Sequence, residues 1–267
     1  MMLDFTQKKY AQLLETFMNG GYHFITFEAY CSQKDSLESD QKTVILRHDV
    51  DLKAGNSLDI AKIEHSLGIK ASYFFRVVEQ SNKPEIIKAI AAMGHEIGYH
   101  YEDMTLCEGQ AEKAMAHFEQ WLSYFRQYYP VKTICMHGSP RSRFDGRDLW
   151  KKYDYHDFGI IGEPYFDVDF SKCFYLTDTG RRWDGFTVSV RDKIPMYQEI
   201  WTSKGWTYHG TDDIIKAVRG NAFPAQLMMT THPQRWADGW VSWGVELAMQ
   251  SAKNVLKKWM IRKNDKK

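Results

Sequence analysis

The sequence predicts an α/β fold built on parallel strands, and three observations support that prediction. Short apolar runs rich in β-branched residues alternate with segments whose apolar residues recur at helical spacing. Polar residues directly follow several of the apolar runs, as they do where strands end at a functional edge. The length of 267 residues lies within the range of a single α/β barrel. We therefore predict one domain over residues 1–267.

The N-terminal part of the chain leads into the strand around which the rest is organised. Apolar residues at helical spacing predict a helix over residues 6–18, and a glycine pair ends it. Residues 22–30 are predicted to form a strand or packing segment, and residues 32–42 a surface loop. Residues 44–51 then predict a buried strand that carries charged side chains at its carboxyl end.

The next segments repeat helix and strand in regular order. Asn56 or Ser57 is predicted to cap a helix that Gly68 closes. Pro84 opens the following helix, because proline suits the first helical turn. A longer helix is predicted over residues 111–125. The strands between and after these helices are predicted at residues 71–78, 95–100 and 131–136.

The last part of the chain is less regular before the alternation returns. Between residues 138 and 206 the strand candidates are residues 159–161 and 173–176. Thr211 is predicted to cap a helix, and residues 225–230 to form the last strand. Residues 241–261 predict a final helix that packs across the fold with Trp243 and Leu247 on one stripe, followed by a basic tail.

The composition of the chain argues against some classes of partner and favours one cellular compartment. Lys and Arg total 35 against 34 for Asp and Glu, a net charge of +1, so we expect no nucleic-acid partner. The four cysteines show no C-x-x-C spacing, which favours thiols in a reducing compartment over disulfides. The sequence shows no signal peptide or membrane span, and we predict a cytoplasmic protein.

Polar side chains at several strand ends predict one shared site. Asp49 and Asp51 are two residues apart, so they share one face of an extended chain. His100, His137 and His232 each follow another predicted strand. The carboxyl ends of barrel strands converge, and carboxylate with imidazole suits a divalent transition metal. The alternative for the two aspartates is an Asp-rich turn, and for a histidine it is a hydrogen-bonded structural role. We favour the structural role for His95.

Four motifs of the chain resemble the successive motifs of the polysaccharide deacetylase family, the NodB-homology domain of carbohydrate esterase family 4. They are Arg-His-Asp-Val-Asp at residues 47–51, Gly-His-Glu-Ile-Gly-Tyr-His at 94–100, His-Gly-Ser-Pro at 137–140 and Thr-His-Pro at 231–233. The second motif is the most specific. The resemblance implies a distorted (β/α) barrel and metal-dependent removal of an acyl group, usually acetyl from an N-acetylated sugar.

The resemblance also implies roles for individual residues. It makes Asp49 the general base, Asp51 and His100 metal ligands, and His232 the general acid. Val50 separates the two aspartates, which are adjacent in the family, so either could be the base and the other the ligand.

One family ligand is missing from this chain. Met104 stands where the family has its second metal histidine, and a thioether is a poor ligand for such a cation. We expect His137 to be the third ligand, with Asp103 next and Glu102 as a further alternative. The expected cofactor is one divalent transition metal, zinc in the first place and cobalt or manganese as alternatives.

The remaining site predictions concern orientation and substrate. Asp178 or Asp184 is expected to orient His232, although the same segment has the composition of a turn. Trp183, Asp184 and Trp236 are the predicted saccharide-binding residues, with core packing as the alternative for the two tryptophans.

The predicted function is hydrolysis of an N-acyl group on a sugar or saccharide precursor of cell-surface polysaccharide. One alternative is an amidohydrolase or deformylase acting on a small amide, and another is a saccharide-binding pseudoenzyme that has lost turnover. The basic C-terminal helix could contact an anionic membrane surface, or its cations could simply complement the helix dipole. Those cations are Lys253, Lys257, Lys258, Arg262, Lys263, Lys266 and Lys267.

Overall fold

The computed structural model of the protein describes residues 3–38, 40–139, 142–187, 193–239, 243–252 and 254. The strands are β1 (His23–Ile25), β2 (Thr43–Val50), β3 (Ser72–Phe75), β4 (Glu96–Tyr101), β5 (Ile134–Met136), β6 (Phe174–Thr177) and β7 (Gln226–Thr231). The α-helices are α1 (Gln7–Asn19), α2 (Phe27–Gln33), α3 (Ala54–Ser66), α4 (Pro84–Ala92), α5 (Asp103–Leu106), α6 (Ala111–Phe125), α7 (Pro164–Asp167), α8 (Pro195–Ser203) and α9 (Thr211–Arg219).

The chain divides into two compact units. Unit 1 comprises residues 1–23, 38–44 and 169–267, and unit 2 comprises residues 24–37 and 45–168. Each unit is formed by more than one segment of the chain. That residues 1–267 form a single domain stays a prediction. No helix among the described residues has an apolar stretch long enough to cross a membrane.

Unit 2 contains parallel strands joined by helices. From residue 45 onward β2 pairs with β3, β3 pairs with β4 and β4 pairs with β5, each pair being parallel. Helices α3, α4 and α6 lie between these strands in the sequence. This is the α/β alternation with parallel strands that the sequence predicts, and it is confirmed. Because parallel strands end at the same edge, their carboxyl-terminal residues come together.

The strands of unit 2 are buried along their length. All eight residues of β2 are buried, as expected where helices cover both faces of a parallel sheet. Gly98 of β4 lies opposite Phe74 of β3, and a Cβ at position 98 would clash with the Phe74 ring. The second glycine of the Gly-His-Glu-Ile-Gly motif is therefore required by close strand packing.

Unit 1 combines the parallel pair β6 and β7 with an aromatic core. Helix α1 begins as predicted, with the Thr6 hydroxyl accepting a hydrogen bond from the Lys9 N–H. Phe17 packs edge-on against Tyr22 and Phe223, with ring centroids 5.1 and 5.3 Å apart. These contacts bury large apolar surfaces, which is the main stabilising contribution to such a core.

Four of the described α-helices were not predicted from the sequence, namely α2, α5, α7 and α8. Helix α2 replaces part of the predicted strand or packing segment and of the loop after it, because the Thr26 side chain accepts a hydrogen bond from the Ala29 N–H and caps a helix there. Helix α8, in the less regular part of the chain, begins with Pro195 at its first turn.

Several predicted boundaries, and one predicted strand, differ from the structure. Helix α3 starts at Ala54, ahead of the predicted cap, after Lys53 in the left-handed region at φ 51°. Helix α9 begins at Thr211 itself, and Gly210 is the residue at its cap. Thr211 instead donates its hydroxyl and its N–H to Asp4. Residues 159–161 form no strand, since only Gly162 bridges to Thr133 there.

The final helix is described over residues 243–252 and at residue 254. Its buried side chains are Glu246 and Gln250, whereas Leu247, predicted on the packed stripe, is 40% exposed. That part of the stripe prediction is wrong, because polar rather than apolar side chains face inward at this point. The basic residues predicted to contact a membrane lie outside the described residues.

Candidate metal centre

Strand β2 brings two charged side chains to one face at its carboxyl end. Arg47 and Asp49 are two residues apart, so both point to the same side of the strand. Arg47 donates from Nε and Nη2 to the two oxygens of Asp49, at 2.8 and 2.7 Å. Both side chains are buried. The guanidinium therefore neutralises the Asp49 carboxylate and fixes its plane.

Asp51, His100 and His137 converge beside that carboxylate. Asp51 Oδ1 lies 3.6 Å from His100 Nε2 and 3.5 Å from His137 Nε2. One ligand atom from each residue lies within 4.8 Å of the other two. Ligands about 2.0–2.1 Å from a tetrahedral zinc ion lie roughly 3.3 Å apart, so these groups need to move little to hold one. Three predicted site residues are thus brought together within unit 2.

The imidazole of His100 is turned so that Nε2 faces this cluster. Its Nδ1 lies 2.9 Å from the carbonyl oxygen of Cys135, which can only accept a hydrogen bond. Nδ1 therefore carries the proton and Nε2 has the lone pair. Burial lowers the pKa of His100 to about 4, although the nearby Asp49 charge opposes that effect. The ring is neutral at neutral pH, as a metal ligand must be.

His137 is held by an ion pair that sequence reasoning did not identify. Its Nδ1 lies 2.9 Å from Glu102 Oε2. Arg76 donates to both oxygens of Glu102, at 2.8 and 2.9 Å. Burial alone would raise the pKa of Glu102, but His137 and Arg76 together hold it below its usual value. Arg76 directly follows β3, but the predicted strand continued to residue 78, so no strand-end position marked Arg76 in the sequence.

The alternative third ligands have other partners. Both oxygens of Glu102 are bound to Arg76, as described above. Asp103 accepts hydrogen bonds from the Tyr99 hydroxyl at 2.9 and 3.0 Å and from His117 Nδ1 at 2.5 Å. Met104 is buried in α5 and 7% exposed. Of the residues weighed from the sequence, His137 is the one whose ring nitrogen faces Asp51 and His100.

A second group of donor atoms overlaps the first but is less suited to a cation. Asp49, His100 and Cys135 also offer ligand atoms within 4.8 Å of one another. A cation bound there would share the Asp49 carboxylate with the Arg47 guanidinium, and like charges at such a distance repel.

The opposite face of β2 carries a buried polar cluster that has a structural role. His48 Nε2 lies 2.7 Å from Glu64 Oε1, and the Tyr73 hydroxyl donates to the other Glu64 oxygen at 2.5 Å. His95 accepts from the Ala71 N–H. All of these side chains are buried, and their hydrogen bonds tie β2, β3 and α3 together. The side-chain alternation predicted for β2 therefore holds on both faces.

His232 lies in unit 1 within its own group of charged residues. Its Nδ1 lies 2.6 Å from Asp178 Oδ1, and its backbone N–H donates to Asp178 Oδ2 at 2.9 Å. Arg235 Nη1 lies 2.6 Å from both Asp178 Oδ1 and His232 Nδ1. Burial would raise the pKa of Asp178, but Arg235 and His232 hold it below its usual value. Of the two aspartates expected to orient His232, the structure places Asp178 against it.

The predicted saccharide-binding residues also lie in unit 1. Trp236 is fully buried against Phe5 and Tyr10, and its indole N–H donates to Asp178 at 2.8 Å. Trp183 is buried as well, beside a pocket of about 20 Å³ that has room for about one water molecule. Asp184 binds Arg182 at 2.5 and 2.6 Å. Their role in substrate binding stays a prediction, and both tryptophans occupy core positions.

Comparisons with known proteins give distant structural similarities. No protein-family model and no curated protein matches the chain. PdaA of Bacillus subtilis, a family 4 carbohydrate esterase, has a TM-score of 0.42 and 13% identity over 91% of this chain and 84% of its own. A family 4 carbohydrate esterase of Bacillus anthracis has a TM-score of 0.41 and 11% identity over the same shares.

A pseudoenzyme of the same family from Bacillus anthracis has a TM-score of 0.44 and 14% identity. That similarity covers 82% of this chain and 63% of the pseudoenzyme. These solved structures come from the family that the sequence motifs resemble. Identities and TM-scores this low describe a distant similarity, so what this chain does has to be inferred from its own residues.

Proposed function

We propose that the chain is a metal-dependent deacylase of the polysaccharide deacetylase type, which hydrolyses an N-acyl group, in the first place N-acetyl, on a sugar. The convergence of Asp51, His100 and His137 beside the Asp49 carboxylate carries this proposal. One carboxylate and two neutral imidazoles form a donor set typical of catalytic zinc, with cobalt and manganese as alternatives.

The residues of the site divide into ligands and a base. Asp51, His100 and His137 would hold the cation, which when bound would polarise the acyl carbonyl and acidify the attacking water. Asp49 would accept the proton of that water. Arg47 orients the Asp49 carboxylate for that transfer. This assignment makes Asp51 the ligand and Asp49 the base.

His232 is proposed as the general acid, the role that the family resemblance gives it. An amide nitrogen leaves poorly unless it is protonated, so the reaction needs a proton donor. Asp178 binds the Nδ1 side of the His232 ring, which leaves Nε2 to carry the transferred proton. A saccharide-binding pseudoenzyme would need neither base nor acid. The buried ion pairs that hold Asp49 and Asp178 therefore favour the catalytic alternative.

His232→Ala is expected to slow amide hydrolysis by about 10²–10⁴-fold, the usual contribution of a proton donor. An activated aryl ester, whose leaving group needs no proton, should lose much less. Initial rates on an N-acetylated sugar and on an aryl acetate, measured for the same preparations, test the difference. His23→Ala, an exposed histidine of the same unit, serves as the control. Equal losses on both substrates would contradict the general-acid role.

The proposed substrate is an N-acylated sugar precursor inside the cell. All four cysteines lie in described residues and none forms a disulfide, as is usual in a reducing compartment. Sugar nucleotides and lipid-linked saccharides occur there, whereas assembled wall polymer does not. The proposed contact of the basic C-terminal residues with an anionic leaflet would favour a lipid-linked substrate.

Release of acetate or formate from a panel of substrates tests the function as a whole. The panel contains soluble N-acyl sugar nucleotides, lipid-linked saccharides, chitin, peptidoglycan and small formamides, each assayed with the zinc-loaded and the metal-stripped protein. We expect metal-dependent acetate release, with both precursors turned over faster than either polymer. Faster turnover of polymer would contradict the proposed substrate. Turnover of small amides alone would favour the amidohydrolase alternative.

A further inference from the structure

His137 has two ring nitrogens that face different partners. Nε2 lies 3.5 Å from Asp51 Oδ1, and Nδ1 lies 2.9 Å from Glu102 Oε2. A neutral imidazole carries one N–H, and an ionised carboxylate can only accept a hydrogen bond. The proton of a neutral His137 therefore lies on Nδ1, and the lone pair of Nε2 faces Asp51 and His100.

The Glu102 carboxylate is itself held in place from both sides. Arg76 donates to its two oxygens in a bidentate pair, and both side chains are largely buried. The Arg76 N–H in turn donates to the Ser81 hydroxyl at 2.9 Å. Arg76, Glu102 and His137 directly follow β3, β4 and β5 respectively. The ion pair thus links the carboxyl ends of three neighbouring parallel strands.

His100 shows the same orientation by a different means. The backbone carbonyl of Cys135 fixes its Nδ1–H, as the Glu102 carboxylate does for His137. His100 lies inside β4 and is fully enclosed, whereas His137 follows β5 in a loop and its side chain is 15% exposed. The loop histidine therefore depends more on a side-chain partner than His100 does.

We propose that Glu102, held by Arg76, is a positioning residue that fixes His137 as its Nδ1–H tautomer and so lets it serve as the third metal ligand in a chain that has Met104 at the family position. This inference rests on the proposed metal site. Carboxylates that orient a ligating histidine raise its basicity and fix its ring, and their loss typically weakens metal binding about 10–100-fold.

The tautomer can be measured without a metal. In ¹⁵N-histidine-labelled metal-free protein, the two ring-nitrogen shifts of His137 should show a protonated Nδ1 and an unprotonated Nε2. In Glu102→Gln the two tautomers should become mixed, because an amide can both donate and accept. Glu108→Gln, at an exposed position in the same segment, is the matched control and should leave the spectrum unchanged. An unchanged His137 tautomer in Glu102→Gln would overturn the inference.

Metal affinity gives the second measurement. Calorimetric titration with zinc should show binding about 10–100-fold weaker in Glu102→Gln than in the wild type or in Glu108→Gln. In a His137→Ala background Glu102→Gln should change the affinity no further, since the effect passes through the histidine. An equal loss in both backgrounds would overturn the positioning role. If the wild type binds no zinc, the proposed function is wrong. The His137 tautomer, measured in the metal-free protein, would still test whether Glu102 orients the ring.

Removing one partner of a buried ion pair can prevent folding, so a second variant is needed. Arg76→Gln with Glu102→Gln removes both charges together and leaves two amides that can hydrogen-bond to each other. This double variant should show the same mixed tautomer and the same loss of zinc affinity. A folded double variant with wild-type tautomer and affinity would also overturn the inference.

Discussion

His100→Ala and Asp51→Ala are each expected to weaken zinc binding by more than about 100-fold, the upper end of what loss of an orienting partner costs, and to reduce metal-dependent deacylation to background. Both residues contribute an atom to the cluster, and the carboxylates near them are bound to other partners. Glu102 is bound to Arg76, and Asp103 to His117 and Tyr99. Asp49 is the nearby carboxylate, with Oδ2 3.7 Å from His100 Nε2, but both of its oxygens are bound to Arg47.

Elemental analysis after dialysis against trace zinc, followed by calorimetric titration, measures this loss. His156→Ala is the matched control, because that histidine belongs to the same unit but is exposed. Far-ultraviolet circular dichroism establishes that each variant is folded. If both variants retain about one equivalent of tightly bound metal, the site assignment is wrong. Retention by Asp51→Ala alone would indicate that Asp49 holds the metal instead.

Asp49→Asn is expected to lower turnover by about 10²–10⁴-fold while metal content stays near one equivalent. The amide keeps the shape of the carboxylate but cannot take a proton from water. Asp49 binds Arg47 through both oxygens, and its Oδ2 also lies 3.7 Å from His100 Nε2. Because its carboxylate is already paired with the guanidinium, loss of its charge should affect proton transfer more than metal binding.

Asp49→Asn also leaves the buried Arg47 without its ion-pair partner, so the variant is expected to lose stability as well as turnover. Breaking a buried ion pair on one side typically costs about 3–5 kcal/mol of stability. The double variant Arg47→Gln with Asp49→Asn removes both charges and should regain most of that stability without regaining turnover. Urea unfolding and kcat measured on the same samples separate the two effects. Recovery of turnover in the double variant would exclude Asp49 as the base. Loss of bound metal in Asp49→Asn would indicate that Asp49 is the metal ligand and Asp51 the base.

Local sequence patterns sufficed for most of the α/β framework. The helical spacing of residues 6–18 and 111–125 and the apolar run of β2 led to elements close to those observed. Such patterns work because the periods of 3.6 and 2 residues decide which side chains can face a core. The shared face of Asp49 and Asp51 was also predictable, since it follows from the alternation of an extended chain.

Elements that depend on a single cap or on distant packing were missed. Helix α2 rests on the Thr26 cap within a segment whose aromatic content also fits a strand. The inward side of the last described helix carries Glu246 and Gln250, which no apolar periodicity marks. Trp183 and Trp236 were expected at a sugar, and burial among aromatic rings is decided by residues such as Phe5 that lie far away in the sequence.

The sequence by itself determined the class of fold, the Asp49 and Asp51 pair and the histidines that follow the strands. Only the tertiary structure decided which residues could complete the site. Asp103 is hydrogen-bonded to His117, and Glu102 is paired with Arg76. Glu102, which is 35 residues away in the chain, orients the His137 ring toward Asp51. The physical reason is that a side chain's availability depends on hydrogen bonds to distant residues, whereas local periodicity reports only which face it occupies.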